Sequence, residues 1–360
     1  MTFTVMNLDK NDNNPLFLGE SLGIQDYTNP RYPILNELAL LQRSQYWTET
    51  EVDMSKDASQ WKELTKETQD ITVLNLSWQT QADSIVGRAP FSVLLPVISN
   101  PEYEGMMVQW GFFENLHSRA YSNIIQTVFP NPDEVLEQIK ENAKAFQRLK
   151  PLVNLFDELH HMNMVKDMGL PFYNERDHKK LILKTLYAVY ALESMQFYCS
   201  FACTFALAEQ GILQGIASNL KLIAKDEALH TRMSLEVLKI EKAKPENTSL
   251  LEEIYPEVIE IMKEVMNAER EWGKYIFSEG RAVIGLNAVL MDEYLLYIAN
   301  KAFQAVGLEV DFKAPDKNPI PWIDTWLEPD KVQVAPQEIQ ITNYRVGSSN
   351  GSLEGFDFDF

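Results

Sequence analysis

The chain has 360 residues, enough to bury a large core as one big domain or two ordinary ones. With 45% apolar and 23% charged residues and no repetitive block, most of it should be globular. A net charge of −20 without any basic run excludes a nucleic-acid backbone or an anionic membrane surface as the main partner.

The opening MTFTVMNLDKNDNN lacks the basic start and apolar stretch of a secretory signal, which predicts a cytoplasmic protein. Residues 1–24 read as an extended N-terminal segment. Helical periodicity then dominates from about Tyr32 to Val306 and strand-like alternation is scarce, so the fold class is all-α. The spacing predicts helices over 33–47, 67–87, 102–128, 133–145, 151–167, 178–209, 218–242, 250–279 and 283–304, with Pro or Gly at several junctions. Long apolar helices with short connections imply a bundle filling residues 25–330.

The most apolar stretch, LYAVYALESMQFYCSFACTFALA at Leu186–Ala208, approaches the length of a membrane span. Glu193 and Gln196 near its middle favour a helix buried in a globular core instead. Cys199 and Cys203, the two thiols of the chain, fall four apart on one face of it and read as inert core residues. After Gly307 the prolines at 315, 319, 321, 329 and 336 break helical order, and 331–360 read as a flexible tail. Its end alternates Phe356, Phe358 and Phe360 with acids, a pattern that fits either a short peptide docking into a groove or a solvated terminus.

Glutamate fills 33 of 360 positions, so five histidines should meet less than one Glu three residues upstream by chance. Four of them do: Glu114/His117, Glu158/His161, Glu175/His178 and Glu227/His230. At i and i+3 on a helix both side chains of such a pair face the same way and can share one metal ion. Glu175/His178, in YNERDHKK, reads as an exposed helix start, and Glu158/His161 as surface or rim. The other two pairs each follow a lone acid on an apolar helix, Asp83 by 31 residues and Glu193 by 34. Four acids and two histidines on four helices is the donor set of ferritin-like di-metal carboxylate proteins. Four buried carboxylates balance two divalent ions, and oxygen-rich ligation with one imidazole per metal favours iron or manganese over structural zinc.

Such a scaffold can store iron, oxidise a substrate or generate a protein radical. Storage fits poorly with this length and tail. A di-iron oxygenase component is the alternative, but Phe197, Phe201 and Ile223 project from the ligand-bearing faces and leave little room for a substrate. Tyr121 lies four residues beyond His117 on the same face, where it could lose an electron and a proton to oxidised metals.

The runs ADSIVGR, ENLHSRAY, LESMQFYCSFACTFALAE, LIAKDEALH, NPIPWIDTWL and VQVAPQE resemble the small, radical-generating subunit of class I ribonucleotide reductase, close to the bacterial class Ia type, over about 25–345. The resemblance implies that Asp83, Glu114 and His117 bind one iron and Glu193, Glu227 and His230 the other, with manganese as a possible substitute. It makes Tyr121 the radical residue and Phe197, Phe201 and Ile223 its apolar pocket. Trp47, Asp226 and His117 become a hydrogen-bonded route for the radical, continued by Glu338 and Tyr344 in the tail. It also implies a homodimer whose C-terminus docks on a large catalytic subunit. That division of labour agrees with the absence of a phosphate-binding Gly-rich loop and of exposed thiols. The ending GFDFDF departs from the bacterial pattern, and the connection MGLPFYNERDH is shorter than in that type.

Overall fold

The computed structural model describes residues 15–19 and 25–327. Glu338, Tyr344, Phe356, Phe358 and Phe360, the 331–360 tail and most of the 1–24 segment lie outside the described residues. Within 15–19, Leu16 and Phe17 are buried, and Phe17 forms an isolated antiparallel bridge to Ile98. Among the described residues every extended element is of this isolated kind.

The helices are α1 Pro33–Ser44, α2 Ser55–Trp61, α3 Lys66–Val86, α4 Ala89–Leu94, α5 Pro101–Val128, α6 Pro132–Glu141, α7 Ala143–Gln147, α8 Lys150–Asp167, α9 Glu175–Ala191, α10 Tyr198–Glu209, α11 Gln214–Lys242, α12 Thr248–Ile276, α13 Ala288–Ala305 and α14 Asp324–Leu327. Their starts follow local chemistry. Asn100 accepts from the Tyr103 amide at 2.9 Å, Pro101 occupies the first turn of α5, and Glu102 and Glu104 lie against its positive end. Thr65 and Asn174 cap α3 and α9 in the same way.

Two predicted helices are interrupted. The 133–145 run divides at Asn142, whose ψ of 77° leaves the helix while its side chain accepts from the Ala145 amide at 3.1 Å and starts α7. The 178–209 run is broken by a π-helical turn, Leu192–Gln196, between α9 and α10. Three short helices, α2, α4 and α14, escape a periodicity reading because each spans at most two turns.

A ring of packed elements forms the centre: α3 against α5, α5 against α11, α11 against α9, the π turn and α10, and α10 back against α3. Helix α1 covers α5 and α11 from one side, and α12 and α13 cover the α9–α10 side. The segment Leu186–Ala208 is buried almost throughout, as expected for a core helix, and no described helix is long and apolar enough to cross a membrane.

Helix α2 secures the start of α11. Leu213 has φ 51°, in the left-handed region that a branched side chain rarely adopts. Its amide is held by Gln60 Oε1 at 3.1 Å, and Gln60 Nε2 donates to the Gly211 carbonyl at 3.0 Å. Asp57 then accepts from the amides of Gly215 (3.1 Å) and Ile216 (2.6 Å), a carboxylate seated on the N-terminus of the helix. The approach is so close that a Cβ at Gly215 would lie 2.9 Å from Asp57 Oδ2. Replacing Asp57 by Ala should lower the unfolding free energy by about 1–2 kcal/mol, with a smaller loss for Asp57→Asn. Urea denaturation is the check, and an unchanged midpoint in the Ala variant would refute the capping role.

Candidate metal centre

The ring of helices brings Asp83 from α3, Glu114 and His117 from α5, Glu193 from the π turn, and Glu227 and His230 from α11 to one buried point. Each imidazole turns Nδ1 toward three carboxylates. His117 Nδ1 is 3.2 Å from Glu227 Oε1, 3.7 Å from Glu114 Oε2 and 3.8 Å from Asp83 Oδ2. His230 Nδ1 is 3.1 Å from Glu114 Oε1, 3.1 Å from Glu227 Oε2 and 4.0 Å from Glu193 Oε2. Glu114 and Glu227 thus offer one oxygen to each imidazole. The sequence assigns these two acids to opposite halves of the site, whereas the geometry puts both in the middle.

Potential donor atoms within 4.8 Å of one another fall into two overlapping sets, Asp83, Glu114, His117, Glu227 and Glu114, Glu193, Glu227, His230. Both oxygens of Asp83 and of Glu193, Glu114 Oε2, Glu227 Oε1 and His117 Nδ1 are buried and form no hydrogen bond of good geometry among the described residues, only close approaches to one another. Leaving one such group unsatisfied costs about 1–3 kcal/mol or more, so a cluster of them fits a cationic ligand. The all-oxygen set with one nitrogen per half suits iron or manganese.

The electrostatics of the protein alone are strained. Burial, reinforced by the charges of Glu114 and Glu227, holds the Asp83 carboxyl well above the usual carboxylate range, and burial with Glu227 and Glu114 does the same to Glu193. Burial also opposes ionisation of Glu227 and Glu114, but the two imidazoles overcome it and hold both acids low. Burial pulls the two histidines down, yet Asp226, Glu114 and Glu227 hold His117 well above its ordinary value, and Glu114 and Glu227 raise His230.

The outer contacts explain which nitrogen faces inward. His117 Nε2 is 3.1 Å from Asp226 Oδ2, and the same oxygen accepts from Trp47 Nε1 at 2.8 Å. The Trp47 and His117 rings lie nearly parallel, 6.2 Å apart. His230 Nε2 meets the Gln42 side-chain amide at 2.5 Å. Trp110 donates from Nε1 to Glu114 Oε1 at 2.8 Å and stacks on His230 at 4.6 Å. Sequence reasoning missed Gln42 and Trp110. Trp110 stands one turn before Glu114 and was accessible to a helical-wheel argument, but Gln42 is 188 residues from His230 and leaves no local signal.

Tyr121 is fully buried on α5, with its hydroxyl beside the Asp83 carboxyl. Burial, with the nearby charges of Asp83 and Glu227, raises its pKa well above 10.0 and keeps the phenol neutral. Phe197, Phe201 and Ile223 are likewise fully buried, and Phe197 stacks on Phe201 at 6.1 Å.

The other two Glu-x-x-His pairs stay apart from this centre. Glu158 and His161 are exposed, as expected. Glu175 is exposed at the start of α9, but His178 is buried, contrary to the sequence reading. Its Nε2 is 2.8 Å from Asn163 Oδ1, while Asn163 donates to the Val93 carbonyl and Tyr173 Oη lies 3.2 Å from Nδ1. Both ring nitrogens are therefore satisfied in the neutral imidazole.

Four helices presenting two overlapping carboxylate and imidazole sets define a ferritin-like di-metal protein. Residues 25–319 match the profile of a family described as ribonucleotide reductase, small chain, and the chain belongs to that family. It is 37% identical to ribonucleoside-diphosphate reductase 1 subunit beta of Salmonella typhimurium, covering 99% of this chain and 98% of the relative. Identity to the beta subunit of Enterobacteria phage T4 is 32%, over 98% and 97%. The fold matches the ribonucleotide reductase R2 subunit from Clostridium botulinum with a TM-score of 0.76 at 22% identity, over 88% of this chain and 96% of that one. The dimanganese(II)-NrdF of Streptococcus sanguinis matches with a TM-score of 0.68 at 17% identity, over 84% and 98%. Small chains of class I reductases carry a di-iron or dimanganese centre and a tyrosyl radical, form homodimers, and act with a large subunit in reducing ribonucleotides.

Burial, aided by the charge of Lys166, pushes His178 down to about 4 from 6.5. Between those values the unfolded chain takes up a proton that the folded chain refuses, so this group's contribution to stability is lost as pH falls through that window. In His178→Gln the pH dependence of the denaturation midpoint should be shallower there than in the parent. Equal slopes would show that His178 does not titrate as its burial requires.

Proposed function

We propose that Asp83, Glu114, Glu227 and His117 hold one metal ion, that Glu193, Glu114, Glu227 and His230 hold the other, and that Tyr121 carries the radical of this reductase subunit. The observation that supports it most is the division of the Glu114 and Glu227 oxygens between the two imidazoles. When bound, the metal pair supplies the one-electron oxidant. The residues around it govern where the oxidising equivalent rests. Tyr121 would give up one electron to that oxidant and its phenolic proton to the neighbouring Asp83 carboxylate in one step, because prior ionisation is opposed by burial and by Asp83 and Glu227. The product is a neutral phenoxyl radical in an apolar setting. Phe197, Phe201 and Ile223 form the dry wall that keeps water and reductants from it.

Trp47, Asp226 and His117 are proposed as the route outward, since one carboxylate oxygen joins the indole and the imidazole. Glu338 and Tyr344 would continue it in the segment beyond the helical domain, and Phe356, Phe358 and Phe360 would anchor that segment to the large subunit. The domain division proposed is a 1–24 segment, a 25–330 helical domain and a 331–360 tail. The family context favours the cytoplasm as the place of action.

Reconstitution with iron and oxygen, followed by metal counting and electron paramagnetic resonance, tests the assignment. Two metals per chain and a tyrosyl signal absent from Tyr121→Phe are expected. Removing residues 349–360 should leave the signal but abolish reductase activity with the large subunit. Hydroxylation of a small substrate by this chain alone, without a radical, would instead indicate an oxygenase.

A second test uses protons. In the metal-free cluster the shifts favour the protonated form at Asp83, Glu193 and both imidazoles. Metal ligation requires carboxylates and neutral imidazoles, so loading should release protons, and affinity should rise with pH while the metal-free site remains protonated. Calorimetry in buffers of different ionisation enthalpy measures the number; a proton-independent affinity contradicts the charge scheme.

A further inference from the structure

Of the four proposed carboxylate ligands, Glu114 is held by Trp110 and Glu227 approaches His230 at 3.1 Å, whereas neither oxygen of Asp83 or of Glu193 makes a well-formed hydrogen bond among the described residues. The backbone therefore governs where these two enter, a regular helix for Asp83 and the π turn Leu192–Gln196 for Glu193. A π turn interrupts the i to i+4 ladder and leaves carbonyl and amide groups at its exit in need of other partners. In this buried setting side chains supply them. The Gln196 carbonyl accepts from Trp78 Nε1 at 3.2 Å and from Arg148 Nη2 at 3.1 Å. The Cys199 amide donates to Glu269 Oε1 at 3.1 Å.

Arg148 and Glu269 are themselves joined, through Arg148 Nη2 and Glu269 Oε2. The guanidinium lies 3.4 Å over the Trp78 ring and 4.6 Å from that of Trp272, and Gln196 Nε2 donates to the Arg148 carbonyl at 3.3 Å. All of these residues are buried. The pair thus ties the exit of the π turn to α3, to the α7–α8 junction and to α12.

A buried ion pair is seldom a gain in stability over apolar residues of the same shape. This one satisfies backbone groups that an unbroken α-helix would satisfy by itself. We propose that Arg148 and Glu269 are positioning residues that hold the π turn open and thereby set where the Glu193 carboxylate enters the centre. Without them α9 and α10 would regain helical pairing across 192–200, and Glu193 would rotate away from His230. The inference rests on the ligand reading given above for Glu193.

Anaerobic titration with manganese(II), together with hydrogen exchange of the metal-free chain, tests it in Arg148→Lys, Arg148→Met, Glu269→Gln and Glu269→Leu. Amides at 197–200 should exchange differently from the parent in every variant. One of the two binding steps should weaken about 10- to 100-fold in Glu269→Leu and Arg148→Met. Glu269→Gln, which keeps an acceptor for the Cys199 amide, should recover part of that loss. A merely structural pair would weaken both steps alike and would not be rescued selectively by Gln. Glu193→Ala separates the two ideas. If it leaves both steps intact, the ligand reading fails; if it removes one step that the pair variants leave untouched, the positioning role fails. Should Glu269→Leu or Arg148→Met not fold, wild-type binding and exchange in Glu269→Gln and Arg148→Lys would overturn the proposal.

Discussion

Four carboxylates and two imidazoles converge on a point that water does not reach, and the rest of the structure follows from making that tolerable. Isolated ions in such a place would cost many kcal/mol, so the charges must cancel locally. In the protein alone burial and mutual repulsion hold Asp83 and Glu193 high, while the two imidazoles hold Glu114 and Glu227 low. Two divalent ions would balance four carboxylates without those protons.

That convergence requires four helical segments meeting at one level, and three of them are regular. Helices α3, α5 and α11 bring Asp83, the Glu114 pair and the Glu227 pair inward by ordinary 3.6-residue geometry. The fourth segment is apolar on all sides, so no amphipathic stripe fixes its rotation. A polar ligand on such a helix needs another way to be aimed. The π turn at Leu192–Gln196 shifts the phase of the helix at Glu193, and polar side chains from three other elements hold the shifted backbone.

This divides what was legible in the sequence from what was not. The long helices and the six side chains that the structure brings together were readable because periodicity and i to i+3 spacing are local. The break inside 178–209 was not, since an extra residue in a uniformly apolar run disturbs no pattern. Arg148 and Glu269 pair across 121 residues, and neither belongs to a motif. His178 was misread because the polar letters of YNERDHKK describe the exposed first turn of α9, while one turn further the same helix already faces Asn163. Helix α2 was missed for its brevity, although it fixes the start of the helix that carries Glu227 and His230.

The two imidazoles are oriented alike but connected differently. Each is held at Nε2 by an outer partner, which turns Nδ1 toward the acids. With Nδ1 given to a metal, Nε2 must donate, so Asp226 accepts directly, while Gln42 must present Oε1, half a turn of its amide from the arrangement in which Nε2 points at the ring. Gln42 is neutral and fully buried, and its Oε1 has no further hydrogen-bond partner among the described residues. Asp226 is an acid whose same oxygen also holds the Trp47 indole, so a change of charge at His117 is felt by Trp47 through one atom. The half of the centre that contains His117 therefore continues through Asp226 to Trp47, and the half that contains His230 ends on a neutral amide. That difference makes the two halves inequivalent despite their similar donor sets, and it is the asymmetry on which the proposed route through Trp47 rests.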